Sequence, residues 1–326
     1  MPIRSFWRAV KVETAEPPYD TLHLKVLYPA QETEKEQQIF LPANSEIAPF
    51  PVIIFFNGAN CSLEGYQWLG VELAKRGTVV ILFNWVAELI PGIVGLAPAR
   101  FNQDARKPDV YGTIPTTTVL PLILAELERL NSQGLLAGML DLENIAIGGH
   151  SAGARLALEN ATPQFFPQLK AVFVYGGHSA GAVQSGYEPG TILKLPSILP
   201  TLLIGGNCDG IIANASSIYG LEKWETPATP IIRTFKEGIS SDRNDSYLVI
   251  LAGANHYSIN QNIDITDNLS YRDFTATQPR EKIHSLLAET ISLFIESYLL
   301  NQDSASDRLM ELLETNKDLI ANFDRK

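Results

Sequence analysis

The sequence predicts an α/β protein whose central sheet is mostly parallel, with antiparallel strands at its N-terminal side and helices on both faces. Two patterns lead to this expectation. Continuous apolar runs, typical of strands buried on both faces, alternate along the chain with segments of helical spacing. A segment with apolar–polar alternation precedes them, which is typical of a half-buried strand. Hydrophobic residues make up 45% of the 326 residues, enough to form a large core.

The first predicted elements are two antiparallel strands, followed by a strand–helix–strand unit. Residues 21–28 alternate apolar and polar side chains, and residues 37–41 are expected to be their hairpin partner. The segments PVIIFF at 51–56 and TVVILF at 78–83 are mostly or wholly apolar, as in buried strands. Between them, residues 62–76 have the apolar spacing of a helix.

The middle of the chain holds a long stretch, residues 85–113, whose prolines and glycines predict an irregular loop. It is apolar for a loop, so Ile90, Ile93, Val94 and Leu96 are expected to form an apolar wall or lid. The remaining predicted elements are strands at 144–148, 171–175, 201–205 and 247–252, and helices at 119–130, 152–159, 278–300 and 304–322.

No linker divides these elements, so residues 1–300 are expected to form one domain. Residues 301–326 are expected to add a C-terminal amphipathic helical extension. Its apolar side chains fall near one helical face: Leu309, Leu312, Leu313, Leu319, Ile320 and Phe323. We expect this face to pack on the domain, and the alternative is a homodimer through the C-terminal helix.

Composition narrows the function classes. A formal net charge of −11 and a pI near 5.0 disfavour binding to phosphate backbones, so nucleic acid is not an expected partner. Cys61 and Cys208 have no ligand spacing with histidine, so neither a metal site nor a cofactor is expected. The N-terminus lacks the apolar segment of a secretory signal, and no apolar run is long enough for a membrane span. The expected location is cytoplasmic.

The heptapeptide GGHSAGA occurs twice, at 148–154 and 176–182, and both copies contain G-x-S-x-G. A nucleophile elbow needs a strand, a sharp turn that exposes the serine, and then a helix. Good helix formers follow the first copy, whereas a segment rich in glycine and proline follows the second. We therefore expect Ser151 to be a nucleophile. Ser179 remains the alternative, with a structural turn as its expected role.

A serine nucleophile needs a histidine base and an acid that orients it, in the chain order Ser, Asp or Glu, His. His256 directly follows the last apolar strand, whereas His284 falls in a predicted helix. Asp209 follows an earlier strand in a glycine-rich turn and is the expected acid. Asp242 and Asp245 are alternatives that lie in a polar loop with no strand before it.

Developing negative charge on an oxyanion needs two backbone donors. One is expected from Ala152, directly after the serine. The other is expected from the turn after the strand at 51–56, with Ala59 as first choice and Asn60 as second. Candidate pocket residues are Asn60, Trp85 and His178.

These motifs resemble the α/β-hydrolase superfamily, in particular its dienelactone hydrolase, chlorophyllase and cutinase-like polyester hydrolase branch. The resemblance covers about residues 21–300 and rests on FFNGANCS, GGHSAG, NCDG and ANH in this order. It implies an α/β-hydrolase fold and cofactor-free ester hydrolysis, with Ser151, Asp209 and His256 as triad. Three features depart from the branch. Dienelactone hydrolases usually carry a cysteine nucleophile where a serine is expected here, secreted polyester hydrolases carry a signal peptide that is not expected here, and residues 301–326 are an addition.

The expected function is therefore a serine hydrolase that cleaves a small-molecule carboxylic ester through an acyl-enzyme on Ser151. The apolar stretch at 85–113 favours a hydrophobic ester. Three alternatives use the same fold: an acyltransferase, a lyase and a catalytically silent binding protein.

Overall fold

One mixed sheet organises the part of the chain that the structure describes. This structure is a computed structural model, which describes residues 1–32, 41–90, 92–100, 102–196, 198–240, 243–263, 266 and 269–326. The strands are β1 (Ile3–Lys11), β2 (Thr21–Pro29), β3 (Phe50–Phe56), β4 (Val79–Ile90), β5 (Ile93–Leu96), β6 (Leu140–His150), β7 (Leu169–Tyr175), β8 (Thr201–Gly206), β9 (Ser246–Leu251) and β10 (Ile320–Arg325).

The strand order is β1-β2-β4-β3-β6-β7-β8-β9-β10, with β5 paired to β4. All pairs from β4 through β3 to β9 are parallel. The pairs at both ends of the sheet, β1–β2–β4 and β9–β10, are antiparallel. The predicted α/β class with a mostly parallel sheet is thereby confirmed.

Helices cover both faces of the sheet. They are α1 (Gln67–Ala74), α2 (Leu120–Ser132), α3 (Ala152–Asn160), α4 (Gly210–Asn214), α5 (Thr229–Arg233), α6 (Arg280–Tyr298) and α7 (Ala305–Thr315). Along β3, Val52, Ile54 and Phe56 pack into one core with α2, α3 and α5, because alternate side chains of a strand point to opposite faces. Ile53 and Phe55 pack into a second core with α1, α6 and α7. None of the described helices is long and apolar enough to cross a membrane.

The N-terminal strand pair differs from the predicted one. The antiparallel partner of β2 is β1, which the sequence did not predict, and its side chains are mostly exposed. An edge strand with few buried positions shows no clear alternation, which is why the pattern was missed. The predicted partner, residues 37–41, lies outside the described residues except for Leu41.

The sequence predicted an irregular loop over residues 85–113, but the start of this stretch is regular. Strand β4 continues to Ile90, and β5 pairs back onto it, with Val86 opposite Leu96 and Glu88 opposite Val94. Gly92 lies in the turn with a φ of 80°, which suits glycine. Ile93 and Val94 are about half exposed on this hairpin. The residues expected to form a lid therefore lie in a β-hairpin.

The C-terminal extension is helical only in its first half, so the prediction of a helix over 304–322 is wrong. Helix α7 ends at Thr315, and β10 then pairs antiparallel with β9 at the edge of the sheet. Leu319, Ile320 and Phe323 therefore do not share a helical face with Leu309 and Leu313. The latter two are fully buried against the chain's own body. A homodimer through this helix stays a prediction.

Candidate active site

Ser151 lies at a sharp turn between β6 and α3, at the carboxyl edge of the parallel strands. Its φ of 55° and ψ of −120° lie outside the regions that non-glycine residues ordinarily adopt. The turn is held by the Ser151 amide, which donates to the carbonyl of Tyr175 in β7 at 3.0 Å. A strained residue held by its surroundings is typical of a functional position. The predicted strand–turn–helix context of Ser151 is present.

Two glycines of the first GGHSAGA copy make this turn sterically feasible. A Cβ atom on Gly149 would lie 2.5 Å from the carbonyl oxygen of Gly153. A Cβ on Gly153 would lie 2.3 Å from the carbonyl oxygen of Phe56, at the end of β3. Helix α3 therefore packs closely on the end of β3, and this close approach brings Ser151 next to the turn that follows β3.

Asp209 and His256 form a buried pair after β8 and β9. His256 Nδ1 lies 2.7 Å from Asp209 Oδ2, and the two side chains are 3% and 0% exposed. Asp209 Oδ1 accepts from the amide of Ile212, so the first turn of α4 fixes the carboxylate. A carboxylate can only accept here, so Nδ1 carries the hydrogen and Nε2 is the basic nitrogen of neutral His256.

Ser151 and His256 line the same cavity, of about 300 Å³. One part of its wall is apolar and comes from the segment after β8: Ile211, Ile212, Ala215 and Ile218. Another part is polar: Arg106, Arg155, His178 and Ser185. The structure thus brings the predicted serine and histidine to one solvent-accessible space, with the aspartate directly behind the histidine.

A larger groove, of about 580 Å³, lies away from these residues between α1, α6 and α7. His284 lies in it, stacked on Trp68 with ring centroids 3.9 Å apart, and its Nε2 lies 3.0 Å from the Ser258 carbonyl. Arg76, in the same groove, forms ion pairs with Glu289 and Glu296. These contacts fit the structural role expected for His284.

The second GGHSAGA copy contributes to the cavity wall, but its serine does not. Ser179 is 1% exposed, and its hydroxyl donates to the Leu193 carbonyl at 2.8 Å. The segment after it is a loop with a short 3₁₀ turn, as the sequence predicted. Gly176, Gly177 and His178 line the cavity beside Ser151. The two copies thus build one site with different roles.

His178 lies in this wall, as predicted, and stays neutral. Burial, followed by the neighbouring Arg155 and His256 side chains, lowers the pKa of His178 to about 3. Its Nδ1 accepts from the amide of Ala180 at 3.2 Å. Its ring packs edge-on against Tyr219, with centroids 5.0 Å apart. A neutral, fixed imidazole can shape the cavity or hydrogen-bond to a ligand there.

Among the amides of residues 58–61 in the turn after β3, that of Ala59 is the one for which no acceptor lies among the described residues. The Gly58 amide donates to the Tyr66 hydroxyl at 3.1 Å, and the Asn60 amide donates to the Leu96 carbonyl at 2.8 Å. The Cys61 amide donates to the Gly58 carbonyl at 3.1 Å, inside the turn. These bonds favour Ala59, the first of the two predicted donors, over Asn60.

Ala152 is the first residue of α3, where backbone N–H groups have no acceptor within the helix. Its amide therefore suits the second predicted donor. The positive end of the helix dipole adds to the attraction for negative charge.

Two predicted pocket residues lie elsewhere. Trp85 is 1% exposed, and its Nε1 donates to the Tyr19 carbonyl at 2.8 Å. It belongs to the core and does not line the cavity of Ser151, because that stretch continues β4 instead of forming a loop. Asn60 lines a separate cavity of about 90 Å³ that also includes Tyr257.

Sequence reasoning missed a buried ion cluster at the wall. Glu159 is bonded by Arg155 Nε at 2.7 Å and by Arg106 Nη2 at 2.9 Å. Burial alone would raise the pKa of Glu159, but the two guanidinium groups outweigh it and hold that pKa below its usual value. Arg155 and Glu159 are four residues apart in α3, a spacing that could have indicated the pair. Arg106 comes from a distant loop and gave no signal.

Asp273 was also missed. Its Oδ1 accepts from the Gly210 amide at 2.8 Å and its Oδ2 from the Tyr257 amide at 3.2 Å. It therefore ties the residues after Asp209 and His256 to each other. Burial and the neighbouring Asp209 charge raise the pKa of Asp273. It lies in a polar segment with no strand before it, so the sequence offered no signal.

The fold and site together define an α/β protein with a serine at a strand–helix turn and a buried Asp–His pair beside it. No protein-family model matches the sequence, and no curated protein sequence matches it either. Among the described residues, no three His, Cys, Asp or Glu side chains are grouped so that they could hold a metal ion.

Proposed function

We propose that the chain is a serine hydrolase of the α/β-hydrolase fold that cleaves carboxylic esters through an acyl-enzyme on Ser151. The observation that carries this proposal is the shared cavity of Ser151 and His256, with Asp209 bonded to the far nitrogen of the histidine. This arrangement supplies a nucleophile, a base and an orienting acid in one place. The mostly parallel sheet and the strand–serine–helix turn support the hydrolase fold.

In the proposed first step, His256 Nε2 takes the hydroxyl proton of Ser151 as Oγ attacks the ester carbonyl carbon. Asp209 stabilises the imidazolium that forms. The backbone amides of Ala59 and Ala152 donate to the oxyanion. When the tetrahedral intermediate collapses, the C–O bond to the alcohol breaks, and His256 returns the proton to the leaving oxygen.

The second half of the reaction releases the acyl group. A water molecule attacks the acyl carbonyl while His256 Nε2 accepts its proton, and the same amides hold the new oxyanion. Collapse breaks the bond to Ser151 Oγ, which takes the proton back from His256. The products are a carboxylic acid, an alcohol and the free enzyme, with no cofactor required.

The apolar wall supports a substrate with a hydrocarbon portion. Ile211, Ala215 and Ile218 line both the Ser151 cavity and an adjoining one of about 270 Å³. A chain lying along these side chains would remove apolar surface from water, which stabilises binding by about 25 cal/mol per Å². We therefore propose a hydrophobic ester, bound along the segment 211–218 rather than under the β4–β5 hairpin.

Ester turnover by two serine variants tests the proposal. Ser151→Ala is expected to abolish hydrolysis of p-nitrophenyl esters, with a loss in kcat of about 10⁶-fold, because the nucleophile is gone. Ser179→Ala, in the identical second motif, is the matched control and is expected to keep activity, since Ser179 is buried away from the cavity. Full activity of Ser151→Ala would contradict the proposal.

A further inference from the structure

His150, the residue before Ser151, is fully buried and does not line the cavity. Its Nδ1 lies 2.7 Å from the Tyr66 hydroxyl, and its Nε2 lies 3.0 Å from the backbone carbonyl of His256. Its ring packs against the His256 ring, with centroids 4.6 Å apart. The mechanism proposed above does not use His150, although it touches the residue that acts as base.

The direction of each hydrogen bond follows from the groups involved. A carbonyl oxygen only accepts, so His150 Nε2 carries the hydrogen and donates to the His256 carbonyl. Burial, and then the nearby His256, lower the pKa of His150 well below its usual value, so the ring is neutral. Nδ1 is then an acceptor, and the Tyr66 hydroxyl donates to it.

Tyr66 carries the connection onward to the turn after β3. Its hydroxyl oxygen accepts from the Gly58 amide at 3.1 Å. Burial, and then the neighbouring Cys61 thiol, raise the pKa of Tyr66 well above its usual value, so it keeps the hydrogen that it donates. Gly58 directly precedes Ala59, whose amide is the proposed oxyanion donor.

We propose that His150 and Tyr66 are positioning residues that tie the oxyanion turn at Gly58 to the backbone of His256. This inference rests on the proposed function. The chain of bonds runs Gly58 N–H to Tyr66, Tyr66 O–H to His150 Nδ1, and His150 Nε2–H to the His256 carbonyl. This series of hydrogen bonds fixes the turn that carries the Ala59 amide relative to His256. It passes through His150, which directly precedes Ser151. Neither side chain touches substrate.

This series of hydrogen bonds matters because the transition state needs the oxyanion donors and the His256 base at fixed positions relative to each other. A misplacement of about 1 Å at a reacting group can cost on the order of 10²-fold in rate. Substrate binding along the apolar wall at Ile211 and Ile218 does not involve these bonds. Breaking this series of hydrogen bonds is therefore expected to lower kcat and to leave KM nearly unchanged.

Tyr66→Phe removes the central hydroxyl and keeps the ring. We expect kcat for p-nitrophenyl esters to fall about 10- to 100-fold, with KM changed less than about twofold. Tyr247→Phe is the matched control, because the Tyr247 hydroxyl bonds to Tyr298 at 2.9 Å near the N-terminal end of β9, whereas His256 follows the C-terminal end of that strand. It removes one partly buried tyrosine hydrogen bond and is expected to leave kcat unchanged. Equal kcat values for the two variants would overturn the proposal.

Two substitutions of His150 test its hydrogen bonds to Tyr66 and to His256 separately. Asparagine places amide atoms near the position of Nδ1, so His150→Asn can keep the bond to Tyr66 and loses the one to His256. Glutamine places them near Nε2, so His150→Gln can keep the bond to His256 and loses the one to Tyr66. Each is expected to lose kcat, and Tyr66→Phe combined with His150→Gln should lose no more than His150→Gln alone. Additive losses in that pair would overturn the proposal.

The tautomer of His150 gives a test that does not depend on esterase activity. In ¹⁵N-histidine NMR spectra of the full chain, His150 is expected to be the neutral Nε2–H form at every pH from about 5 to 8. Tyr66→Phe should shift its Nδ1 resonance, and Tyr247→Phe should not. An Nδ1–H tautomer of His150, or its titration in this range, would overturn the proposed series of hydrogen bonds even if Ser151 proves to be the nucleophile. An inactive wild-type chain with the expected tautomer would instead count against the proposed function alone.

Discussion

His256 Nδ1 lies 2.7 Å from Asp209 Oδ2, with both side chains shielded from solvent. In such a pair the carboxylate fixes the histidine tautomer, so that Nε2 accepts protons. The pair joins turns that follow neighbouring parallel strands, β8 and β9.

Asp209→Asn is expected to lower kcat by about 10⁴-fold, because the asparagine amide favours the wrong tautomer of His256. The measurement is ester turnover, with thermal unfolding to confirm that the variant folds. Asp273→Asn is the control. The bonds shown for Asp273 are to the backbone amides of Gly210, Tyr257 and Phe274 and none is to His256, so the loss of its charge should cost far less. A similar loss in both variants would contradict the role given to Asp209.

The acid limb of the pH–rate profile should report one histidine. His256 must be neutral to accept a proton, so kcat/KM falls as pH falls through its pKa. Burial, with neighbouring charges, lowers the pKa of His178 to about 3, and burial lowers that of His150 well below its usual value. Neither gains a proton between about pH 5 and 8.

We therefore expect the acid limb of log(kcat/KM) to have a slope of one. Asp273 has a pKa raised first by burial and then by Asp209, so the profile should also be measured in Asp273→Asn. The slope should stay at one there. A slope of two would mean that a second histidine of the site gains a proton in this range. That result would contradict the neutral state that burial imposes on His150 and His178.

Glu159→Gln is expected to destabilise the fold by about 3–5 kcal/mol, because it removes the buried carboxylate that accepts from the mostly buried Arg106 and Arg155. Glu237→Gln is a matched control, since Arg233 and Glu237 have the same spacing of four residues but are partly exposed. It should cost less than about 1 kcal/mol. Denaturant unfolding measures both, and equal losses would contradict the argument.

The same carboxylate should contribute to acid unfolding. The two arginines outweigh burial and hold the pKa of Glu159 below its usual value. Its contribution is therefore fully present above the pKa of the unfolded chain and is lost as pH falls through the lower pKa of the folded state. The stability of Glu159→Gln should depend less on pH in this acid range than that of the wild type.

Gly153→Ala is expected to disrupt the turn at Ser151. The added Cβ would lie 2.3 Å from the Phe56 carbonyl oxygen, so α3 or β3 must move. We expect a loss of about 3 kcal/mol in stability, at the upper end of the usual cost of overpacking, and a large loss of activity. Gly134→Ala is the control: its φ of 85° is unfavourable for alanine, but nothing lies within 4 Å of the added Cβ. It should cost about 1 kcal/mol and leave activity intact.

The parallel core and the serine turn could be predicted because their signals are local. Apolar runs identified β3, β7, β8 and β9, and the segment after each copy of the repeated motif separated Ser151 from Ser179. Asp209 and His256 followed from the chain order Ser, Asp or Glu, His and from their positions directly after apolar strands.

The elements that were missed depend on partners far along the chain. The sequence of β10 has apolar positions that also fit a helix, and only the open edge of β9 makes it a strand. Tyr66 and His150 are 84 residues apart, and nothing near either residue indicates their hydrogen bond. Arg106 and Asp273 reach the site from loops whose paths no local pattern specifies.

Mass spectrometry after reaction with a fluorophosphonate probe tests the central claim most directly. The probe bonds covalently to a serine that a neighbouring base activates. We expect one adduct, on the peptide that contains Ser151, and none on the peptide that contains Ser179, although both serines lie in the same seven-residue sequence. The adduct should vanish in His256→Ala. An adduct on Ser179, or no adduct on folded wild-type protein, would contradict the account.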